Sequence, residues 1–192
     1  MLFLLQLIGV SILSLAIGLW SAFYAVERGI GFEAIKRGSW VAWASAGLPD
    51  ADPYTEATFA RSGELPLVGG QSITFAAATD DEGNTLQRNC GYRIFGKAPP
   101  AQWWTLVAYD VESRLAIENP SNRPGLSSSE IIYRQDGSFE IALSPLPKPG
   151  NWIPLTGQGP MRLFLRFYDT PVALGDDFEG AELPRLVKED CQ

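Results

Sequence analysis

The first 26 residues of the chain, Met1 to Val26, carry no charged side chain, and this run constrains the fold more than any other feature. At a rise of about 1.5 Å per residue, a helix of this length crosses the hydrocarbon of a bilayer. Trp20 and Tyr24 near its end are typical of the headgroup region. The run predicts a transmembrane helix at 1–26, acting as a signal anchor, then a juxtamembrane segment at 27–48 and a folded domain at 49–192.

A cleaved signal peptide is the competing interpretation of this run. The apolar stretch is longer than a usual signal-peptide core, and no Lys or Arg precedes it. The segment Ala22-Phe23-Tyr24-Ala25 is also a poor small-x-small cleavage site. The anchor is therefore the favoured interpretation, and the membrane is the first expected partner.

Two features disagree about the side of the membrane on which the domain lies. Arg28, Lys36 and Arg37 follow the helix, which by the positive-inside rule favours a cytoplasmic domain. Cys90 and Cys191 are the only cysteines, and in an oxidising compartment they could form a disulfide. Closing the loop between Cys90 and Cys191 would add about 4 to 5 kcal/mol to the free energy of unfolding when the disulfide geometry is unstrained. Two unrelated free thiols are the alternative, and the sequence does not choose between them.

Composition excludes several classes of function. The chain has 15 basic and 22 acidic side chains, a net charge of −7, and no basic cluster larger than Lys36-Arg37, so nucleic acid is not an expected partner. Histidine is absent, which removes His-dependent nucleophile systems and His-ligated metal sites. No P-loop, dinucleotide fingerprint or nucleophile elbow is present, and the acidic turn at 80–84 lacks calcium-loop spacing. The sequence therefore predicts no cofactor and no metal.

One short helix is predicted to lead into the main domain, and the segment before it is compatible with another. Asp52-Pro53 is a typical N-cap and first helical position, and the helix is expected over Tyr54 to Arg61, ending at Gly63. Apolar and basic residues between Gly31 and Gly47 are compatible with an amphipathic helix that lies on the membrane surface or packs on the domain.

From about Leu65 onward, short β-prone runs alternate with Gly, Pro, Asn and Asp. Turn signals recur about every eight to twelve residues, which is typical of a sandwich or jelly roll. The sequence predicts an all-β domain, a jelly-roll-like antiparallel β-sandwich at 49–192, preceded by the transmembrane helix and a short helix. The predicted strands are Ser72–Ala77, Tyr92–Phe95, Trp103–Tyr109, Leu115–Glu118, Ile131–Arg134, Phe139–Leu143 and Met161–Tyr168.

Four separated motifs carry a resemblance to a known family. They are Leu48 to Tyr54, Pro99 to Asp110, Glu118 to Arg123, and Asn151 to Leu155 followed by Gly159 to Tyr168. Over about Asp50 to Tyr168 the chain resembles the bacterial family called domain of unknown function 1214. The resemblance implies a jelly-roll-like β-sandwich and an exported domain, here a periplasmic one on a single-pass inner-membrane protein. It implies no catalytic residues.

Three tryptophans are candidate ligand contacts. Trp152 follows a proline-rich stretch at 145–150, so we expect it on a rigid loop, where it either stacks on a sugar or, as the favoured role, closes the end of the core. Trp103 and Trp104 are adjacent on a predicted strand, so their side chains point to opposite faces. One is expected in the core and the other at the surface or in a groove.

Polar residues supply the remaining candidates. The turn at 119–123 and the serines at 127–129 could form a polar pocket beside Arg166, although local backbone bonding is the more common role of such residues. Arg162 and Arg166 lie on one face of a predicted strand, with Phe164 between them.

The leading hypothesis is a membrane-anchored, non-catalytic binding or interaction module for a carbohydrate or another envelope polymer. A second is a hydrolase that uses Asp110 with another carboxylate, since glycoside hydrolysis requires two, although the spacing singles out no pair. A third is a structural subunit of a membrane complex, with Phe32 to Trp43 as its contact surface; the sequence identifies no protein partner. The candidate ligand-binding residues are Trp103, Trp104, Asn122, Arg123, Trp152 and Arg166.

Overall fold

The uncharged N-terminal run forms one α-helix, α1 (Leu2–Arg28). The structure is a computed structural model that describes residues 2–28, 34–43, 45–62, 72–171 and 182–191. Within α1 the segment Phe3–Val26 is long and apolar enough to cross a membrane, with a mean hydropathy of 2.1, and none of it is buried in the rest of the chain.

The second helix, α2 (Pro53–Ser62), begins where the sequence predicts it. Oδ1 of Asp52 accepts hydrogen bonds from the backbone N–H of Tyr54, at 2.9 Å, and of Thr55, at 3.1 Å. These bonds satisfy two of the donors that a helix leaves unpaired at its N-terminus, which confirms Asp52 as the N-cap.

Helix α2 contacts both α1 and Trp43, which precedes it in the chain. The guanidinium carbon of Arg61 lies 5.0 Å from the ring centre of Phe23 in α1. The ring of Phe59 meets that of Trp43 edge to face, with centroids 5.8 Å apart. The short helix therefore connects the membrane-compatible helix to the folded domain.

Two sheets make up the domain and form an all-β sandwich, which confirms the predicted fold class. The six-stranded sheet has the order β1-β2-β3-β9-β5-β6, and the four-stranded sheet has the order β10-β4-β7-β8. All pairings are antiparallel except that of β7 with β8, which is parallel. The strands are β1 (Ala34–Arg37), β2 (Trp40–Trp43), β3 (Ser72–Ala77), β4 (Cys90–Gly96), β5 (Trp103–Asp110), β6 (Gly125–Ser127), β7 (Phe139–Ser144), β8 (Asn151–Pro154), β9 (Met161–Tyr168) and β10 (Arg185–Cys191).

The amphipathic helix predicted between Gly31 and Gly47 is wrong, because residues 34–43 form the β1–β2 hairpin. Arg37 pairs with Trp40, so only two residues make the turn, and the first of them, Gly38, has a φ of 57° that glycine adopts without strain. Side chains in β2 alternate between buried and half-buried, the period of a strand. The hairpin lies inside the predicted juxtamembrane segment, yet β2 pairs with β3 and belongs to the sandwich. Positions 31–33 and 44 lie outside the described residues.

Two other predicted strands are absent from the described part of the chain. The segments 115–118 and 131–134 make only isolated bridges, between Ala116 and Tyr109 and between Tyr133 and Phe139. Three short or polar strands, β6, β8 and β10, were not predicted, because they lack the length or the apolar alternation that marks a strand in sequence.

The core lies between the two sheets. Trp104 of β5 packs against Phe139 of β7 across the interface, with ring centroids 5.0 Å apart. The buried indole N–H of Trp40 donates a 2.7 Å hydrogen bond to the carbonyl of Pro184, next to β10. This bond joins the two sheets and satisfies a donor that would be costly to bury alone.

A carboxylate at Asp81 fastens the hairpin to the C-terminal strand. Its Oδ1 accepts a 2.5 Å hydrogen bond from the Ser39 hydroxyl, and its Oδ2 lies 3.1 Å from Nε of Arg185. The backbone N–H of Leu186 also donates to Oδ2, at 3.3 Å. The acidic turn predicted at 80–84 therefore has a structural role in holding three segments together.

Cys90 and Cys191 form a disulfide, the bonded one of the two alternatives that the sequence left open. The bond joins the first residue of β4 to the last residue of β10, and the same two residues pair in the sheet register. It closes a loop that spans 101 positions of sequence.

Breaking this disulfide is expected to lower the free energy of unfolding. The variant Cys191→Ser should lose up to about 4 to 5 kcal/mol, because the unfolded chain regains the freedom of a loop of roughly 100 residues. Denaturant unfolding of the full chain in micelles, with and without reductant, measures the effect. Reductant should destabilise the wild type and leave Cys191→Ser unchanged; equal stability of oxidised and reduced wild type would contradict the prediction.

Candidate functional site

The candidate site lies on the face of the six-stranded sheet that points away from the core, here called the outer face. Along β5, the side chains of Trp104, Leu106 and Ala108 are buried in the core, so alternate residues point outward. Directly opposed residues of paired strands share a face. The register between β5 and β9 therefore places four pairs on the outer face: Trp103 with Tyr168, Thr105 with Arg166, Val107 with Phe164, and Tyr109 with Arg162.

An aromatic pair forms one end of the outer face. The rings of Trp103 and Tyr168 have centroids 5.1 Å apart and an interplanar angle of 33°. Trp103 is 42% exposed although it lies in a central strand of the sheet. Removing the exposed part of this indole ring from water would be favourable in free energy. The ring is therefore available as a contact surface for a ligand.

Arg166 lies beside this pair, held between two other rings. Its guanidinium carbon is 5.0 Å from the ring centre of Phe164 and 5.4 Å from that of Tyr109. Its Nη1 donates a 3.4 Å hydrogen bond to the Tyr109 hydroxyl. Phe164 is only 3% exposed, and the arginine helps to cover it. Cation–π contacts of this kind favour the position of the guanidinium beside the rings, and its remaining N–H groups can still donate hydrogen bonds.

Hydroxyl groups surround the arginine. The register puts Thr74 of β3, Arg166, Thr105 and Ser127 of β6 in one row across four neighbouring strands. Ser127 therefore lies in the same row as Arg166, with Thr105 of β5 between the two. The Ser127 and Ser129 hydroxyls are 3.1 Å apart.

Glu130 organises the edge of this row. Its Oε2 accepts hydrogen bonds from the hydroxyl of Ser127, at 2.8 Å, and from its backbone N–H, at 3.0 Å. The hydroxyl bond, then the backbone bond and the nearby charge of Arg123, hold the pKa of Glu130 below its usual range. Arg123 Nη2 lies 3.8 Å from Oε1 of the same carboxylate. Arg123 therefore reaches the rim of the outer face through Glu130.

The turn that contains Asn122 is held by its own amide groups. Oδ1 of Asn119 accepts from the backbone N–H of Ser121 and of Arg123, and its Nδ2 donates to the Arg123 carbonyl. Asn122 has a φ of 50°, a left-handed conformation that asparagine tolerates in turns. No described hydrogen bond or ion pair brings the Asn122 side chain to the outer face.

Trp104 and Trp152 lie elsewhere. Trp104 is the buried member of its pair, 4% exposed and packed in the core. Trp152 lies within β8, where the sequence analysis expected a loop, and pairs with Ala142 on the four-stranded sheet. Its indole N–H donates a 3.1 Å hydrogen bond to the Ser144 carbonyl. The structure thus brings together Trp103, Arg166 and, at the rim, Arg123.

Three aromatic members of the outer face were not predicted as site residues: Tyr109, Phe164 and Tyr168. The alternation of the sequence within each strand could indicate that these side chains point outward. Only the pairing of β5 with β9 shows that they lie together on one surface. That pairing connects positions that are more than 50 residues apart, and sequence patterns do not supply such a register.

Asp110, the carboxylate of the hydrolase hypothesis, has the surroundings of a structural group. Its Oδ2 lies 2.9 Å from Nη2 of Arg88, and its Oδ1 accepts a 2.5 Å hydrogen bond from the backbone N–H of Ser113. Arg88 also donates to the carbonyl of Gln158. The Ser113 bond, assisted by the Arg88 charge, holds the pKa of Asp110 below its usual range. A general acid needs a raised pKa, so these contacts favour a role in fastening loops.

In the described ranges, no group of three or more acidic or cysteine side chains is placed to hold a metal ion.

Part of the segment from Phe32 to Trp43, the contact surface of the structural-subunit hypothesis, is buried within the domain. Trp40 and Ala42 are buried in the core, while Phe32 lies outside the described residues.

The variant Asp110→Asn is expected to lose about 1 to 3 kcal/mol of unfolding free energy at pH 7, because the charge that pairs with Arg88 is removed. Since the folded-state pKa is lowered, the ionised carboxylate stabilises the fold above the ordinary pKa near 4. That advantage declines as the pH falls from about 4 through the lowered pKa. Urea unfolding at pH 7 and at about pH 3 measures both effects.

The control for this prediction is Glu112→Gln, an exposed change in the same turn, which should alter stability at neither pH. A stability loss in Asp110→Asn that does not shrink at low pH would contradict the assignment. So would turnover of a glycoside or ester substrate by the wild type that Asp110→Asn abolishes.

A solved structure similar to this chain supports the fold. The VPA0106 protein from Vibrio parahaemolyticus matches with a TM-score of 0.60 and 21% sequence identity, over 74% of this chain and 37% of that chain. An uncharacterised protein from Burkholderia cenocepacia matches with a TM-score of 0.45 and 16% identity, over 92% of this chain and 42% of that chain. The chain therefore spans well under half the length of either structure.

No curated protein matches the chain. The family model described as "Protein of unknown function (DUF1214)" matches residues 71–172, which is more than half of the sequence and includes both central strands of the outer face. The resemblance that the sequence motifs indicated is confirmed, and the chain belongs to the DUF1214 family of proteins of unknown function.

Proposed function

We propose that the protein is a single-pass inner-membrane protein whose sandwich lies in the periplasm and binds a carbohydrate polymer of the cell envelope on its outer face. The observation that carries the proposal is the exposed Trp103, packed against Tyr168 beside a row of hydroxyl groups and Arg166. The sheet presents these groups on regular strands, which hold their spacing better than loops do.

The chemistry of the outer face matches that of a sugar. The apolar C–H face of a pyranose ring packs on an aromatic ring such as that of Trp103. The hydroxyls of Thr74, Thr105 and Ser129 can each donate and accept, as sugar hydroxyls do. A site with one aromatic platform and several hydroxyl partners is typical of binding without catalysis, and no carboxylate is part of this row.

The proposed location rests on α1 and on the disulfide. Helix α1 has the length and composition of a membrane span, and disulfides persist in oxidising compartments such as the periplasm. Lys36 and Arg37, which favour the opposite orientation by the positive-inside rule, lie in β1 of the folded sheet rather than in a free linker.

Replacing Trp103 by alanine is expected to weaken glycan binding at least tenfold while leaving the fold intact, because the ring is exposed and contributes little to the core. The measurement is retention of the full chain, in detergent micelles, on immobilised peptidoglycan fragments, lipopolysaccharide core oligosaccharides and exopolysaccharide fragments. The matched control is Trp152→Ala, which removes a half-buried tryptophan from the other sheet and should leave binding unchanged.

Two results would overturn the proposed site. The first is equal loss of binding in Trp103→Ala and Trp152→Ala. The second is failure of the wild type to bind any of these glycans, which would favour a structural subunit of a membrane complex.

Thiol labelling in intact cells tests the proposed orientation. A membrane-impermeant maleimide should label Cys90 and Cys191 only after prior reduction, since both thiols are bonded in the folded domain. Labelling that requires lysis and no reductant would place the domain in the cytoplasm and contradict the proposal.

A further inference from the structure

Arg166, the cation at the centre of the outer face, differs in its partners from most of the other arginines of the sandwich. Five of those arginines pair with a carboxylate within 4 Å: Arg88, Arg93, Arg123, Arg134 and Arg185. Arg166 forms no ion pair among the described residues, although the chain carries a net charge of −7.

The guanidinium of Arg166 is arranged for a planar anion. It has five N–H donors, and one described hydrogen bond, to the Tyr109 hydroxyl, uses one of them. The contacts with Phe164 and Tyr109 restrict the position of the guanidinium, and its planar fork can take the two oxygens of a carboxylate side by side. Glu130, the carboxylate at the edge of the row, is engaged by Ser127 and Arg123.

We infer that the ligand of the outer face is an acidic saccharide, in which a sugar ring stacks on Trp103 and its carboxylate pairs with Arg166. This inference rests on the proposed function and names the ligand class of the same site. Tyr168, the partner of Trp103, lies two residues from Arg166 along β9, a separation of about 7 Å. One sugar unit with a carboxylate on its ring spans that distance.

A carboxylate is favoured over a phosphate by the number of cations. Phosphate esters carry up to two negative charges, and sites for them usually gather several basic groups or backbone N–H donors. The row of the outer face offers one arginine among neutral hydroxyls. A single guanidinium matches the single charge of a uronate.

The test compares oligogalacturonate with the same oligosaccharide after chemical reduction of its carboxyl groups, by calorimetry on the full chain in micelles. The wild type should bind the acidic form at least tenfold more tightly. Arg166→Gln should remove this preference, and Arg166→Lys should keep a part of it, because lysine retains the charge without the paired donors. Arg162→Gln, on the same strand and face, is the matched control and should leave the preference unchanged.

The outcomes separate this inference from the proposed function. Equal binding of the acidic and the reduced oligosaccharide, or tighter binding of a phosphorylated oligosaccharide than of oligogalacturonate, overturns the acidic-saccharide inference and leaves the glycan-binding function standing. Absence of binding to both forms and to every neutral glycan overturns the two together. Because the ligand is altered in one arm and the protein in the other, instability of Arg166→Gln does not obscure the result.

Discussion

Neighbouring side chains on a β-strand point to opposite faces, and in this protein that constraint couples the core to the candidate site. On β5, Trp104 packs against the second sheet, which obliges Trp103 to point outward. On β9, burial of Leu165 and Phe167 obliges Arg166 and Tyr168 to do the same. If either strand shifted by one residue in its register, its member of the aromatic pair would point inward and its core residues would point outward, so stability and binding depend on the same alignment.

The parts of the fold that could be predicted from sequence are those whose information is local. β5 and β9 show long apolar alternation, and α2 has Asp52 as its N-cap, so these elements were found nearly to the residue. The β1–β2 hairpin was mistaken for a helix, because a few apolar residues among small ones fit either period. β10 is polar over most of its length and becomes a strand through its pairing with β4 and its disulfide, neither of which the local pattern contains.

The candidate site was predictable to a smaller degree. Alternation alone showed that one of Trp103 and Trp104 had to be exposed, and the spacing of Arg162 and Arg166 placed both on one face. The separation of Trp152 from that face required knowledge of which sheet each strand joins. The pairing of Trp103 with Tyr168 also depended on a long-range register, and such registers are set by the packing of the whole domain.

The disulfide also determines what proteolysis does to the protein. Both central strands of the outer face, and every loop between β4 and β10, lie inside the covalent ring that Cys90 and Cys191 close. A single cut in any of those loops leaves an N-terminal fragment that contains α1 and Cys90, and a C-terminal fragment that stays bonded to it through Cys191. A nicked domain therefore stays attached to its N-terminal helix, and shedding of the sandwich requires either a cut before Cys90 or reduction of the bond.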